Sequence, residues 1–279
     1  MKREARLIIL IIILVLLLIT LIIIENNMVE LNSYNISSNK LPYGTQLKIA
    51  QISDFHNCKL GNEVIEGLKK TSPDMIAITG DLIDSRKTNL EPSLELIAEA
   101  VKIAPCYYVT GNHEARATNE YAVLKAKMLK MGVRVLENES ELVSINGLEI
   151  NLIGLTDPRF SYDSDSSKKA KNVIYKSLEP LISTEHYNLV LCHRPEAFSE
   201  YASLNANLVL TGHAHGGQII IFGIGAVAPN QGIFPKYIKG IYEKNETKMV
   251  VSRGIGNSLF PFRLNNRPEI VEINLVGEG

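Results

Sequence analysis

From Leu7 to Ile24 the chain reads LIILIIILVLLLITLIII, with Thr20 as its one polar side chain. After it, apolar positions come in short blocks separated by polar turns. Eighteen such residues lie near the lower length at which a helix crosses a bilayer. A core helix would carry an apolar stripe, and this run is apolar all round. A signal peptide would end in small residues, whereas the flank here is Glu25-Asn26-Asn27-Met28. The pattern predicts an uncleaved transmembrane anchor over 7–24, preceded by a cytoplasmic N-terminus at 1–6. A tether over 25–45, with the polar stretch Asn32 to Asn39 at its centre, would lead to one folded domain at 46–279. Lys2, Arg3 and Arg6 precede the span, and the next basic residue is Lys40. The positive-inside rule therefore predicts a single-pass protein of the cell membrane with its body on the outer face.

Within the body the period alternates between strand and helix. Strands are predicted at Leu47–Ile52, Met75–Thr79 and Tyr107–Thr110, interleaved with helices at Asn62–Lys70, Ser93–Ile103 and Asn119–Met131. Alternation of this kind predicts an α/β fold with parallel pairing. The second half has closely spaced strands at Val133–Leu136, Leu142–Ile145 and Leu148–Ile153, with Asn146-Gly147 as a hairpin turn. A helix over Ala170–Ile182 follows, then strands at Leu189–Cys192, Leu208–Thr211, Met249–Ser252 and Ile270–Leu275. Ser161 to Ser167 reads as a loop. One domain of two packed sheets with outer helices fits this order better than two domains.

Charge and cysteine content narrow the function classes. Of the 29 basic and 30 acidic side chains, three basic and one acidic lie in the first six residues, so the rest carries a net charge of −3. That gives no basic footprint, and no nucleic-acid partner is expected. Cys58, Cys106 and Cys192 are too few for a disulfide framework and include no C-x-x-C pair. Cys106 and Cys192 sit in apolar runs and read as buried thiols. No G-x-S-x-G elbow or completed G-x-G-x-x-G loop is present. The sequence carries no signature of a particular oligomeric state.

The candidate chemistry lies where strands end. Asp54 and His56 follow the first strand, Asp81 the second, Asn112 and His113 the third. His193 follows Leu189–Cys192, and His213 with His215 follows Leu208–Thr211. Five of the six histidines stand at these ends, which scattered histidines would not do. Ligands in open α/β sheets bind outside the carboxyl ends of strands. Asp-x-His and His-x-His each offer two donors that can turn toward one site, and a further Asp can bridge two ions. Imidazole and carboxylate together suit Zn, Fe and Mn rather than Ca. Two such ions clamp the attacking and leaving oxygens of an in-line displacement at phosphorus. Taken singly, each residue has an ordinary use as a turn or cap former; the joint order favours a metal site.

Asp54-Phe55-His56, Gly80-Asp81, Gly111-Asn112-His113-Glu114, His193 and Gly212-His213-Ala214-His215 resemble, in order, the motif blocks of the calcineurin-like metallophosphoesterase superfamily. The resemblance runs from about Leu47 to Gly217. It implies a four-layer sandwich of two mixed β-sheets flanked by helices, here preceded by the transmembrane helix. It also implies two divalent transition-metal ions: Asp54, His56 and His215 for the first, Asn112, His193 and His213 for the second, and Asp81 bridging. A metal-bridging hydroxide would attack phosphorus, and His113 would contact the phosphate and act as acid for the leaving group. The stretch after His215, with Gly216-Gly217-Gln218, Pro229, Tyr237, Gly240-Ile241-Tyr242 and Arg263, looks like the membrane-associated bacterial YaeI-like subgroup. The partner implied is a phosphorylated small-molecule or lipid substrate, such as a UDP-diacylglucosamine-like pyrophosphate. The alternative is a non-catalytic binding or scaffold protein of the same fold, which would be expected to lose ligands; all seven are present. Asp84 and Glu114 are candidates for supporting roles or for plain solvated surface. Arg194 and Arg263 read as surface ion pairs, and His186 as an inert loop residue.

Overall fold

In a computed structural model of the chain, residues 3–162, 166–258 and 260–279 are described. Lys2 of the basic flank and 163–165 of the expected loop lie outside them. The apolar run forms α1 (Arg3–Asn27), whose apolar side chains are not buried along the run. Its length and hydropathy are those of a membrane-crossing helix. The chain continues through β1 (Glu30–Ser38), β2 (Gln46–Ile52), α2 (Gly61–Thr71), β3 (Met75–Thr79), α3 (Glu91–Ala100) and β4 (Cys106–Val109). Then come the short α4 (Asn112–Arg116), α5 (Thr118–Lys130), β5 (Arg134–Val135), β6 (Glu139–Ile145) and β7 (Leu148–Gly154). They are followed by α6 (Ser167–Leu178), β8 (Tyr187–Leu191), α7 (Phe198–Ser203) and β9 (Leu208–Thr211). Two small hairpins come next: β10 (Ile220–Ile221) with β11 (Ile224–Gly225), and β12 (Val227–Ala228) with β13 (Gly232–Ile233). The chain ends with β14 (Gly240–Lys244), β15 (Thr247–Val251) and β16 (Glu269–Gly277).

Two mixed six-stranded sheets result, in the orders β1-β16-β2-β3-β4-β5 and β14-β15-β9-β8-β7-β6. Side-chain alternation explains why they stack. On β3, Ile76 and Ile78 face the helices α2, α3 and α5, while Met75 and Ala77 face the other sheet. On β9, Leu208 and Leu210 face inward between the sheets and Val209 faces the α6–α7 side. Strands buried on both faces read as continuous apolar runs, and a period of two assigns alternate residues to the two layers. The four-layer α/β sandwich expected from the resemblance is therefore what the chain forms. Gln51 Nε2 ties the sheets together near their carboxyl ends, donating to Thr79 Oγ1 (2.9 Å) and to Thr211 O (2.8 Å). Five parallel strands, β2, β3, β4, β8 and β9, thus end close together.

The tether is a correction. Glu30–Ser38 is not a loose connector but a full strand, paired in parallel with β16 from Glu30↔Glu269 to Ser38↔Gly277. It reads as polar because it is an edge strand with alternate residues exposed, and only Ile36 is fully buried. Its partners are backbone groups 239 residues away in the chain, which leave no side-chain signature. Only 28–29 separate α1 from β1, so the folded domain begins directly at the end of the apolar helix.

Candidate metal centre

The seven predicted ligands and His113 converge on one buried site. Each sits on the turn that leaves a strand, and the backbone there is unusual. Asp54, His56, Asp81, His213 and His215 all have φ between +47° and +66°. Non-glycine residues seldom occupy this region, and such strain clusters at sites whose geometry is held by their surroundings. Two neighbouring glycines make room for the result. A Cβ on Gly111 would overlap Asp81 Oδ1, and one on Gly212 would overlap Asp54 Oδ2.

The donors fall into two groups that share one carboxylate. In the first, His215 Nε2 is 3.1 Å from Asp54 Oδ1 and 3.2 Å from His56 Nε2. In the second, His193 Nε2 is 3.2 Å from His213 Nδ1 and 3.2 Å from Asp81 Oδ2. Asp81 Oδ2 is also 3.7 Å from His56 Nε2, so it lies between the groups. Donors about 2.1 Å from a tetrahedral ion stand about 3.4 Å apart, and these spacings match.

Tautomers point the same way. His193 Nδ1–H donates to Thr79 O (2.7 Å), which leaves the Nε2 lone pair facing inward. His213 Nε2 is held by Asn230 Oδ1 (2.8 Å) and Arg194 Nη1 (2.9 Å), which turns Nδ1 inward. The two inward nitrogens, His193 Nε2 and His213 Nδ1, stand 3.2 Å apart, a spacing suited to sharing one cation. Burial pushes His56 down to about 3, so its ring is neutral and able to ligate at physiological pH. Burial also opposes charge on His193, yet Asp81 and Asp54 raise it to about 10. The two carboxylates call for positive charge at this point. Asn112 Oδ1 completes the fit: it is buried, has no hydrogen-bond partner, and Asn112 lines the same cavity.

The calcineurin-like phosphoesterase family model matches residues 47–217, a span that holds all eight of these residues. The chain belongs to the calcineurin-like phosphoesterase family. Members depend on a dinuclear metal centre, and the Asp–His groups described above are candidates to hold one. The chain is 30% identical over 267 residues to an uncharacterised metallophosphoesterase of Aquifex aeolicus (strain VF5), covering 92% of this chain and 95% of that one. Phosphodiesterase YaeI of Escherichia coli (strain K12) is 25% identical over 238 residues, covering 82% of each chain. A bovine transmembrane protein with a metallophosphoesterase domain is 30% identical over 251 residues, covering 84% of this chain and 54% of its own length.

The residues around the centre explain how this phosphoesterase fold holds it. Glu114 is fully buried and accepts four backbone N–H groups, from Asp81 (3.0 Å), Leu82 (2.8 Å), Ile83 (3.2 Å) and Gly111 (2.8 Å). It is thus a structural clamp on two motif turns, not solvated surface. His113 N–H donates to Asp81 Oδ1 (2.8 Å). Its Nδ1 accepts from Ser85 N–H (3.0 Å), so the neutral ring carries its proton on Nε2, 4.0 Å from Asp81 Oδ2. Asp84 Oδ1 is 3.3 Å from the same Nδ1, and Asp84 also holds Arg86 through two hydrogen bonds. Burial opposes charge on His113, but the Asp81 and Asp84 carboxylates raise it above the usual imidazole range.

Arg194 and Arg263 correct the surface-pair reading, since both are buried. Arg194 grips Asp157 with Nε (2.6 Å) and Nη2 (2.9 Å), and its Nη1 donates to Asn230 Oδ1 (2.6 Å), the group that orients His213. Arg263 Nη2 lies 3.3 Å from His215 Nδ1, and Nη1 donates to Arg253 O (2.9 Å). Sequence showed the two arginines but not the long-range partners that bury them. His186 stays outside the site, with Nδ1 against Ser183 Oγ. Cys106 and Cys192 are buried free thiols, as expected, and Cys58 is a partly buried one. Over the centre opens a cavity of about 400 Å³, whose lining includes Asp81, Asn112, His113, His213 and His215 together with Arg86 and Arg116. These two arginines had no signal in the motif pattern.

Proposed function

We propose that the chain is a membrane-anchored dinuclear-metal phosphoesterase that hydrolyses a phosphoester or pyrophosphate bond. One observation carries this reading: a single buried carboxylate oxygen, Asp81 Oδ2, stands between two imidazole groups at the floor of an open cavity. Asp54, His56 and His215 would hold one Mn, Fe or Zn ion, and Asn112, His193 and His213 the other, with Asp81 shared. Such a pair of ions supplies a nucleophilic water at neutral pH and offsets charge on the phosphoryl group.

The chain's own residues do the rest. Arg86 and Arg116 line the cavity wall and place positive charge beside the bound phosphoryl group. His113 turns Nε2 toward the cavity, because Nδ1 faces Ser85 and the Asp84 carboxylate. With the Asp81 and Asp84 carboxylates favouring its imidazolium form, His113 gives the Nε2 proton to the leaving-group oxygen as the P–O bond breaks, and the neutral ring left behind takes up a proton from water between turnovers. Lys2, Arg3 and Arg6 before the apolar run, with no basic residue after it until Lys40, support an extracytoplasmic domain. The transmembrane bovine relative supports a membrane setting for this domain type.

Metal analysis of the full chain purified in detergent tests the reading. Wild-type protein should carry about two transition-metal ions per chain and hydrolyse bis(p-nitrophenyl) phosphate with Mn²⁺. Asp81→Asn should lose metal from both half-sites. A fully loaded wild-type protein inert on diester, monoester and pyrophosphate substrates would overturn it.

A further inference from the structure

Thirteen large apolar side chains are exposed among the described residues after α1, and six of them fall between 221 and 260: Ile221, Phe222, Ile224, Ile233, Phe234 and Phe260. They sit on the two small hairpins and the segment beside them. Phe222 is 100% exposed, and Ile233 and Phe234 are 74% and 73% exposed. Phe222 and Phe234 also take left-handed backbone, with φ of 50° and 55°. Phe222-Gly223 fills a two-residue hairpin turn whose first position normally favours Asn. A bulky ring in that conformation is costly, and within the fold it touches too little to offset the cost.

These side chains are joined to the anchor by a short path. Asn26, in the last turn of α1, makes two hydrogen bonds with the Arg263 backbone, its Oδ1 accepting from N–H (2.8 Å) and its Nδ2 donating to C=O (3.0 Å). The next residue, Leu264, accepts from Ile220 N–H (3.0 Å), and Asn265 Nδ2 donates to Ile220 O (3.1 Å). Phe260 N–H donates to Gln218 Oε1 (2.8 Å). Glu25 binds Arg267 Nε (3.0 Å) and Asn266 N–H (3.2 Å). The domain is therefore fixed to the helix from the first residue after Ile24. The apolar run Leu7–Ile24 spans about 27 Å, which matches a hydrocarbon core of about 30 Å with no slack. A bilayer around α1 must end at the level of Glu25, beside the hairpins.

We infer that the two hairpins and the Phe260 segment form a membrane seat, in which Phe222, Ile233, Phe234 and their neighbours enter the lipid interface next to α1. This rests on the reading of α1 as a membrane span. Exposed Lys236 and Lys239 flank Ile233-Phe234 and match anionic headgroups. The seat borders the catalytic cavity: Pro229 and Asn230, on the second hairpin, and Ser258 are part of its lining. The cavity mouth then opens at the lipid–water boundary. The substrate class that fits is an amphiphile whose phosphate group lies in the headgroup layer, bound without leaving the bilayer.

The chain contains no tryptophan, so one introduced indole reports its own surroundings. Phe222→Trp, Leu16→Trp in α1 and Leu142→Trp on β6, at the sheet edge opposite β14, are made in the full chain. Each is placed in nanodiscs of phosphatidylethanolamine and phosphatidylglycerol, with and without acyl-chain bromination. Phe222→Trp should shift to the blue and lose about half its emission to brominated lipid, as Leu16→Trp does, because interfacial side chains reach about 5–10 Å into the boundary. Leu142→Trp should be unaffected. Unquenched Phe222→Trp beside quenched Leu16→Trp would overturn the seat alone. Unquenched Leu16→Trp would overturn the anchor and the seat together. Turnover of bis(p-nitrophenyl) phosphate by each variant reports the phosphoesterase reading separately.

Discussion

Removing Arg194 tests how the centre is held from behind. Its guanidinium grips the fully buried Asp157 through two bonds, of 2.6 and 2.9 Å, and also holds Asn230, which orients His213. Arg194→Leu keeps the apolar stem but strands Asp157 as an uncompensated buried charge. Breaking one side of such a pair costs about 3–5 kcal/mol. Losing the Asn230 bond adds about 1 kcal/mol. The total, about 4–6 kcal/mol, corresponds to a fall in Tm of about 8–24 °C for a domain of this size. The assay is thermal unfolding of the full chain in detergent, followed by metal analysis of the still-folded variant at low temperature. Metal occupancy should fall, because His213 loses its orienting partner. Arg194→Leu combined with Asp157→Asn should recover about half the lost stability, since the stranded charge is gone. A single variant within 3 °C of wild type, or a double variant no better than the single, would refute the buried-pair argument.

His113→Ala should keep both metal ions and the fold while kcat falls by about 10²–10⁴, the usual worth of a positioned general acid; unchanged turnover at full loading would remove the proton-donor role. Glu114→Gln replaces one of two acceptor oxygens with a donor, so two of the four N–H groups it now satisfies must face an NH₂. Each buried N–H left unsatisfied costs about 1–3 kcal/mol, and a stability loss of about 2–6 kcal/mol by chemical denaturation is expected. A loss below about 1 kcal/mol would show that the carboxylate is not the clamp on the Asp81 and Gly111 turns.

Much of the site was legible before the fold. Strand ends are marked by the apolar run stopping at a polar residue, and Asp54, Asp81, His193 and His213 stand on the turns just after four such ends. The types of donor present, carboxylate, amide and imidazole, already named the chemistry. The apolar faces of α2, α3, α5 and α6 and both faces of β2, β3, β8 and β9 were likewise set by local period, which is why their predicted and observed spans nearly coincide, whereas the short α4 and α7 had no such pattern. The Leu7–Ile24 run, with Thr20 as its one polar side chain, was legible as an apolar helix for the same reason.

What tertiary structure alone decided depends on partners far away in the chain. β1 reads as a tether until β16, 239 residues on, supplies its hydrogen bonds. Arg194 and Arg263 read as surface charges until Asp157, Asn230 and the carbonyls of Arg253 and Gly256 enclose them. Glu114 reads equally as a supporting residue of the site or as solvated surface until four N–H groups converge on it. Asn26 and Arg263, 237 residues apart, join the apolar helix to the segment beside His215. Sequence pattern reports what a residue prefers near itself: water or oil, turn or strand. Burial of a charge, and the direction in which an apolar tip is left exposed, are set by whichever chain returns to that place, and local preference holds no record of that.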